Sequence, residues 1–431
     1  MDTITWYADY IEPDRDDPVI WNRYMEQHIT NTIDNFEHFT RHPQIDSATF
    51  NYFNHLLEFR TFNEFVPGRK SIVIVGLHGG WDPVKLELIE HWFNTHPGRT
   101  QAWQDSQCQI VIDYSEEGFT TEVFADLWRW INQHNLTNRV LYVSSSCNVQ
   151  ELYSRWCRVE RTAPVMSTAW YGFFANWIVK DREMRRINHR IPQANWTGGL
   201  RYMCLNRRPY LHRVLLTTLL ERFKVINLGA VSMPREFSEA EVKWDLDIPR
   251  QWTILKELAN GRLDFLQENF NTMYNRLPLI ADTDNFSINY ALNINENFYT
   301  KYPINLISET LFLTDSAFMS EKIWKPMLLG QIFLVMASPY YLQALRKLGF
   351  KTFAPYIDET YDTIEDPIDR AIELVQVLRD ILTLDFKDFV QLLKDCEPIL
   401  IHNKRLLTKP SLINSIISKP VVDAIESYWN F

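Results

Sequence analysis

The stretch SIVIV, Ser71 to Val75, has no polar side to turn toward water after its first residue. A half-solvated strand alternates apolar and polar residues, whereas one buried on both faces reads as a short continuous apolar run. It leads into the glycine-rich GLHGGW. The segment DPVKLELIEHWF follows, with helical spacing, Asp82 at the N-cap and Pro83 as first helical residue. The same rhythm returns in QCQIVIDY before a helical segment at Glu122 to Asn132, and in NRVLYVSSS before one at Gln150 to Cys157. Unbroken strands alternating with helices predict a parallel sheet covered on both faces, a Rossmann-like α/β domain.

A second series begins with RYMCLN, runs through the helix PYLHRVLLTTLLERF and the strand KVINLG, and resumes with YPINLISETLF and QIFLVMA. A chain of 431 residues exceeds one ordinary core. We therefore expect two α/β domains, divided between Ile178 and Gly198: a Rossmann-like domain over 66–195 and a second over 196–405. Residues 1–65 read as an extension of helices and loops, with a helical patch near Trp21 to Phe39. The stretch 234–302 lacks clear periodicity and reads as an insertion in the second domain. Residues 406–431 read as a C-terminal helix.

The formal charge of −10 is the wrong sign for a surface that displaces counterions from a phosphate backbone, which disfavours a nucleic-acid partner. Five scattered cysteines without CxxC spacing support neither a zinc site nor a disulfide framework, and suit a cytoplasmic setting. No basic-then-apolar leader and no run of about 18 apolar residues occurs, so neither export nor a membrane span is expected. The Asn-x-Ser/Thr triplets at Asn135, Asn195 and Asn285 are then incidental.

In open α/β sheets ligands sit beyond the carboxyl ends of the strands, and three loops there carry chemistry. In LNRRPYLHR, Leu205 to Arg213, Pro209 as first helical residue would put Arg207 and Arg208 just ahead of a helix and Arg213 about one turn in. Guanidinium forks beside free N–H groups would suit a diphosphate; pairing with nearby carboxylates is the alternative. In NLISETLF, Glu309 ends a buried strand and could accept sugar hydroxyls or cap a turn. In FMSEKIWKPMLLGQIFLV, Ser320 can cap a helix, Glu321 can accept both hydroxyls of a ribose, and Lys322 offers a point charge to phosphate. Pro326 requires either a later helix start or a bend that frees a carbonyl near Lys322.

Taken together, SET, FMSEK and IWKPMLLGQIFLV resemble the nucleotide-binding signature of the α-1,3-fucosyltransferase-type glycosyltransferases, and the Leu205–Arg213 loop is similarly placed to that family's arginine-bearing loop. The resemblance covers about Tyr202 to Phe353. Phe318 stands where tyrosine is usual and Lys325-Pro326 replaces more helix-friendly residues. It is of a type that looks like sequences of phage and marine microbial genomes. It implies a GT-B fold, two Rossmann-like domains facing a cleft, with the sugar nucleotide on the C-terminal domain and the acceptor on the N-terminal one. Carried over, Glu321 would hold the ribose, Lys322 and Arg213 the diphosphate with Arg207 as competitor, and Glu309 would lie near the donor sugar. Asn206, Ser320 and Lys325 complete the expected donor site. A GDP-sugar donor and inversion at the sugar carbon follow from the resemblance alone.

For the base that takes the acceptor proton, Glu116, Glu117 and His78 are the candidates. The DxD-spaced triplets at Asp245–Asp247 and Asp282–Asp284 adjoin no apolar strand and read as turn and cap chemistry, so no metal or other cofactor is expected. The absence of GxSxG excludes a hydrolase elbow, and the absence of GxxxxGK[ST] a P-loop. The expected activity is glycosyl transfer from a nucleotide sugar to a carbohydrate or other hydroxyl acceptor. A non-catalytic virion or glycan-binding protein, and a transferase acting on modified DNA bases, are the alternatives.

Overall fold

The structure, a computed structural model, describes residues 4–8, 57–76, 86–115, 121–175, 196, 198–236, 247–281, 296–417 and 419–429. The chain forms two compact units, Met1–Phe173 joined by Asn414–Phe431, and Phe174–Ile413.

In the first unit, β1 (Ile4–Ala8), β2 (Leu57–Thr61), β3 (Ser71–Gly76), β4 (Cys108–Tyr114), β5 (Val140–Ser144) and β6 (Ser167–Trp170) form one sheet in the order β2-β1-β3-β4-β5-β6. All of its pairings are parallel. Every residue of β4 is buried, as its unbroken apolar run requires of a strand covered on both faces. Helices α1 (Leu86–Asn94), α2 (Pro97–Gln104), α3 (Glu122–Gln133) and α4 (Val149–Glu160) alternate with these strands. On α3, Phe124, Leu127 and Ile131 recur at the spacing of one helical face and are fully buried. Two of the six strands, β1 and β2, arise within the first 65 residues, where the sequence suggests only helices and loops. Their pairing joins Ile4 to Leu57 across a long separation, which no local pattern reveals. The helical patch at Trp21 to Phe39 lies outside the described residues.

In the second unit, β7 (Tyr202–Leu205), β8 (Gly229–Ser232), β9 (Ile304–Ser308) and β10 (Ile332–Met336) form a parallel sheet in the order β10-β9-β7-β8. Both units are thus Rossmann-like α/β layers. Helix α5 (Leu211–Arg222) follows β7, and α6 (Ile248–Leu258) and α7 (Gln267–Asn275) pack against it. These two helices lie in the stretch read as an insertion without periodicity. Trp252 of α6 stacks on Phe270 of α7 at 4.7 Å between centroids, and a two-way backbone bridge between Met233 and Leu279 ties the ends of the segment together. Helices α8 (Glu296–Tyr299), α9 (Glu321–Leu329), α10 (Tyr341–Lys347), α11 (Pro367–Thr383), α12 (Phe386–Thr408) and α13 (Pro410–Ile417) complete the series.

The last helix, α14 (Lys419–Trp429), packs on β6 and β5 of the first unit. A domain division at 195/196 with a separate terminal helix therefore differs from the observed one, in which the chain returns to the unit it began with. Gly172, just past β6, allows this approach: a Cβ there would lie 2.7 Å from Ile417 Cγ2.

Candidate functional site

The carboxyl edge of the second sheet gathers the polar residues singled out in the sequence. Strand β9 is buried along its whole length and delivers Glu309 at its end, with no side-chain exposure. Eleven residues on, Ser320 caps α9 with its side chain accepting the Lys322 N–H, as the sequence suggests. The helix starts at Glu321 and continues through Pro326 to Leu329, closed by Gly330 in the left-handed conformation (φ 68°). Of the two ways to accommodate Pro326, the chain keeps the early start; lacking an N–H, Pro326 leaves the Lys322 carbonyl without its helical partner.

Ser320 Oγ donates to Glu309 Oε2 at 2.6 Å and accepts from Lys322 Nζ at 3.0 Å. Lys322 Nζ also donates to Thr310 Oγ1 at 3.1 Å and pairs with Glu321 Oε1 at 3.1 Å, so its three protons each have a taker. Glu309 receives two more donors, the Thr310 N–H on Oε2 at 3.1 Å and the Tyr341 hydroxyl on Oε1 at 2.8 Å. Three donors and no acceptor around it match an ionised carboxylate. Burial pushes its pKa up, and the Lys322 ammonium and the Ser320 hydroxyl pull it back. Glu309 is thus enclosed by protein groups, whereas Glu321 and Lys322 keep 15% and 25% of their side chains exposed.

Burial works against the charge on Glu321, but the Lys322 and Lys325 ammonium groups together hold its carboxyl below the usual range. Lys325, one turn along α9, is nearly buried; that burial, opposed by Glu321 and reinforced by Lys322, lowers its pKa to about 8.

Helix α5 begins at Leu211, two residues later than a start at Pro209, because Tyr210 is extended and turns back to bond the Arg208 carbonyl at 2.9 Å. Arg213 is therefore in the first turn, buried, with Nη1 on the Arg208 carbonyl at 3.1 Å and its guanidinium 5.1 Å from the Tyr210 ring centre. Its Nε, and the Oδ1 of buried Asn206 at the end of β7, have no protein partner. Arg207 and Arg208 flank the same turn, each half-buried. His212 bonds the Glu309 carbonyl oxygen through Nε2 at 2.9 Å; burial and the neighbouring Arg213 lower its pKa to about 3, so the ring is neutral and Nε2 is the donor.

Three residues that the sequence reading passes over hold this edge together. Tyr341 and Thr310 supply donors to Glu309. Buried Arg370 of α11 donates to the carbonyls of Phe312, Ala337, Ile364 and Glu365 at 2.6–2.9 Å, with its guanidinium 4.7 Å from the Phe312 ring centre. The only sequence signal for Tyr341 is an aromatic pair after Ser-Pro; none marks Arg370.

In the first unit, His78, Glu116 and Glu117 lie outside the described residues. The end of β4 that precedes the two glutamates carries buried Asp113, which accepts from the Ser115 hydroxyl at 2.6 Å. Of the DxD triplets, Asp247 caps α6 by accepting the Arg250 N–H at 2.8 Å; Asp245 and 282–284 are outside the described residues. Among the described residues no group of His, Cys, Asp and Glu has a metal-holding arrangement. All five cysteines are free, and no described helix is long and apolar enough to cross a membrane.

No family model and no curated protein matches the sequence. Among solved structures, a trehalose-6-phosphate protein from E. coli bound with UDP-2-fluoro glucose is similar at 12% identity and a TM-score of 0.47, over 99% of either chain. A UDP-forming α,α-trehalose-phosphate synthase from Burkholderia xenovorans is similar at 9% identity and a TM-score of 0.44, over 89% of this chain and 83% of that one. A trehalose-6-phosphate synthase studied for glycosyl transfer with retention is similar at 12% identity and a TM-score of 0.41, over 99% of either chain. Likeness at this level says nothing of this chain's substrate or reaction.

Proposed function

We propose that this chain is a glycosyltransferase that takes a sugar from a nucleoside diphosphate donor to a hydroxyl acceptor. One observation carries the reading: a carboxylate and an ammonium, Glu321 and Lys322, sit partly exposed on the first turn of α9, capped by Ser320, at the carboxyl edge of a parallel sheet. A ribose needs an acceptor for two adjacent hydroxyls, a diphosphate needs a cation, and the helix N-terminus adds N–H dipoles that favour the anion. The unpartnered Arg213 Nε and Asn206 Oδ1 beside it supply a further donor and acceptor.

In this reading Glu321 accepts the ribose hydroxyls, while Lys322, with Arg213 and Lys325 behind it and Arg207 as the alternative fork, stabilises the charge that develops on the departing diphosphate. Glu309 holds the lysine in place. His78, Glu116 and Glu117 are the proposed candidates for the base that takes the acceptor proton. The positive charge comes from side chains, so transfer is proposed to be metal-independent and to survive EDTA. A GDP-sugar donor and inversion are what the likeness to fucosyltransferases implies; proton NMR of the product's anomeric centre decides the second. A cytoplasmic setting, that of the host if the chain is phage-encoded, suits five unpaired thiols.

The test is a thermal-shift series of the wild type and a Glu321→Ala, Lys322→Ala variant against GDP, UDP, CDP, ADP and dTDP. A shift with one nucleotide that vanishes in the variant supports the transferase and identifies the base. No shift with any of them moves the reading to a non-catalytic binding protein.

A further inference from the structure

Glu309 is oriented from a distance, through one tyrosine. Tyr341 is the first residue of α10 and is fully buried. The residue before it, Tyr340, has φ +62°, a left-handed conformation that a bulky side chain rarely adopts and that persists only where its surroundings impose it. Asp362 imposes it. Its carbonyl oxygen accepts the Tyr340 N–H at 2.6 Å, and its two carboxylate oxygens accept the N–H groups of Leu342 and Gln343 at 2.8 and 3.1 Å. Asp362 is itself buried, so the start of α10 is fixed on both sides of Tyr341. The Tyr341 hydroxyl is thereby delivered to Glu309 Oε1, opposite the oxygen held by Ser320 and Thr310.

We propose that Tyr341, set by Asp362, is a positioning residue: its hydroxyl holds Glu309 as the carboxylate that orients Ser320 and, through it, Lys322 toward the bound anion. This rests on the reading of Lys322 as a diphosphate ligand. The groups around Glu309 are Ser320, Glu321 and Lys322 from α9, Tyr341 from α10, and His212 and Arg213 from α5. Between pH 4 and 8 the His212 ring stays neutral; burial raises the carboxyl pKa of Glu309 and of Asp362, whereas the neighbouring lysines lower that of Glu321. Glu309 and Asp362 are therefore the groups here that acidification reaches first, and Asp362 is common to wild type and Tyr341→Phe.

The Tyr341→Phe variant keeps the ring and removes one hydrogen bond to a charged acceptor, which raises the Glu309 carboxyl pKa further. In the ligand-free chain, the melting-temperature difference between wild type and Tyr341→Phe should be full near pH 8 and shrink as pH falls through the Glu309 titration. A difference that is constant from pH 4 to 8 overturns the proposal. In titrations with GDP and UDP, the acid limb of affinity should move to higher pH in Tyr341→Phe, with affinity at pH 8 within about threefold of wild type. A uniform loss at every pH would mean a packing role only and likewise overturns it. Asp362→Asn should move the limb in the same direction, and an unmoved limb removes Asp362 from the proposal. If neither nucleotide binds the wild type, the titration is repeated with CDP, ADP and dTDP; no binding of any of the five fails the transferase reading, while the ligand-free arm still decides the Tyr341–Glu309 relationship.

Discussion

Ser320 Oγ lies 2.6 Å from Glu309 Oε2, a bond between a helix cap and a fully buried carboxylate at the end of the neighbouring strand. One hydroxyl thus both starts α9 and neutralises a cost of burying β9's terminus. Ser320→Ala removes both functions and should destabilise the fold by about 2–4 kcal/mol, the sum of a lost cap and a lost hydrogen bond to a charged group. Ser320→Thr, which keeps the hydroxyl, should recover most of this. Urea unfolding of the three proteins measures it.

Lys322 is 25% exposed and offsets the buried charge of Glu309 and Glu321, so its replacement by alanine should cost about 1–3 kcal/mol of folding stability. The same change should abolish nucleotide-dependent stabilisation, which in the wild type amounts to about 2.7 kcal/mol at a hundredfold excess over Kd. Unchanged stabilisation in Lys322→Ala would remove this residue from the site.

Lys325 predicts a dependence of stability on alkaline pH. Its pKa is about 8 in the folded chain against 10.5 for the free amine, because burial disfavours the charge. Between those values the unfolded chain binds the extra proton, so this group's contribution to stability rises as pH goes from about 8 to 10.5, and the full penalty is present below 8. Lys325→Met should be more stable than wild type at pH 7 and should lose that rise; unfolding free energies at pH 7, 8.5 and 10 compare the two.

Arg370 donates to four backbone carbonyls, those of Phe312, Ala337, Ile364 and Glu365. Arg370→Lys keeps the charge but cannot reach all four in one plane, and should destabilise by about 1–3 kcal/mol for each buried carbonyl left unpaired. Because Phe312 is among its partners and its ring lies 5.8 Å from that of His212, tilted to it by 31°, nucleotide affinity should fall with it. Calorimetric unfolding and a nucleotide titration check the two effects.

The parts of the fold that were legible in the sequence are those decided locally. Strands β4, β9 and β10 announce themselves as unbroken apolar runs, and Ser320, Glu321 and Lys322 as a cap and its first turn. Strands β1 and β2 were not, since five-residue segments paired across fifty residues carry no periodic signal. The reach of Tyr341 to Glu309 depends on a backbone angle at Tyr340 and on Asp362, which in the stretch ETYDTIEDP looks like one more solvated acid and is instead buried. The late start of α5 reflects a turn at Tyr210 that overrides the preference of Pro209 for a helix's first position.

The return of α14 to β5 and β6 makes synthesis order matter. The first unit's strands leave the ribosome early, yet the helix that packs on β5 and β6 comes after the whole second unit has been made. Until then part of the first sheet's apolar surface has no native cover, and the second unit can finish folding before the first. A nascent chain arrested before Asn414 would therefore carry a complete second unit and an unfinished first one, with the side of β5 and β6 that α14 covers open to other chains.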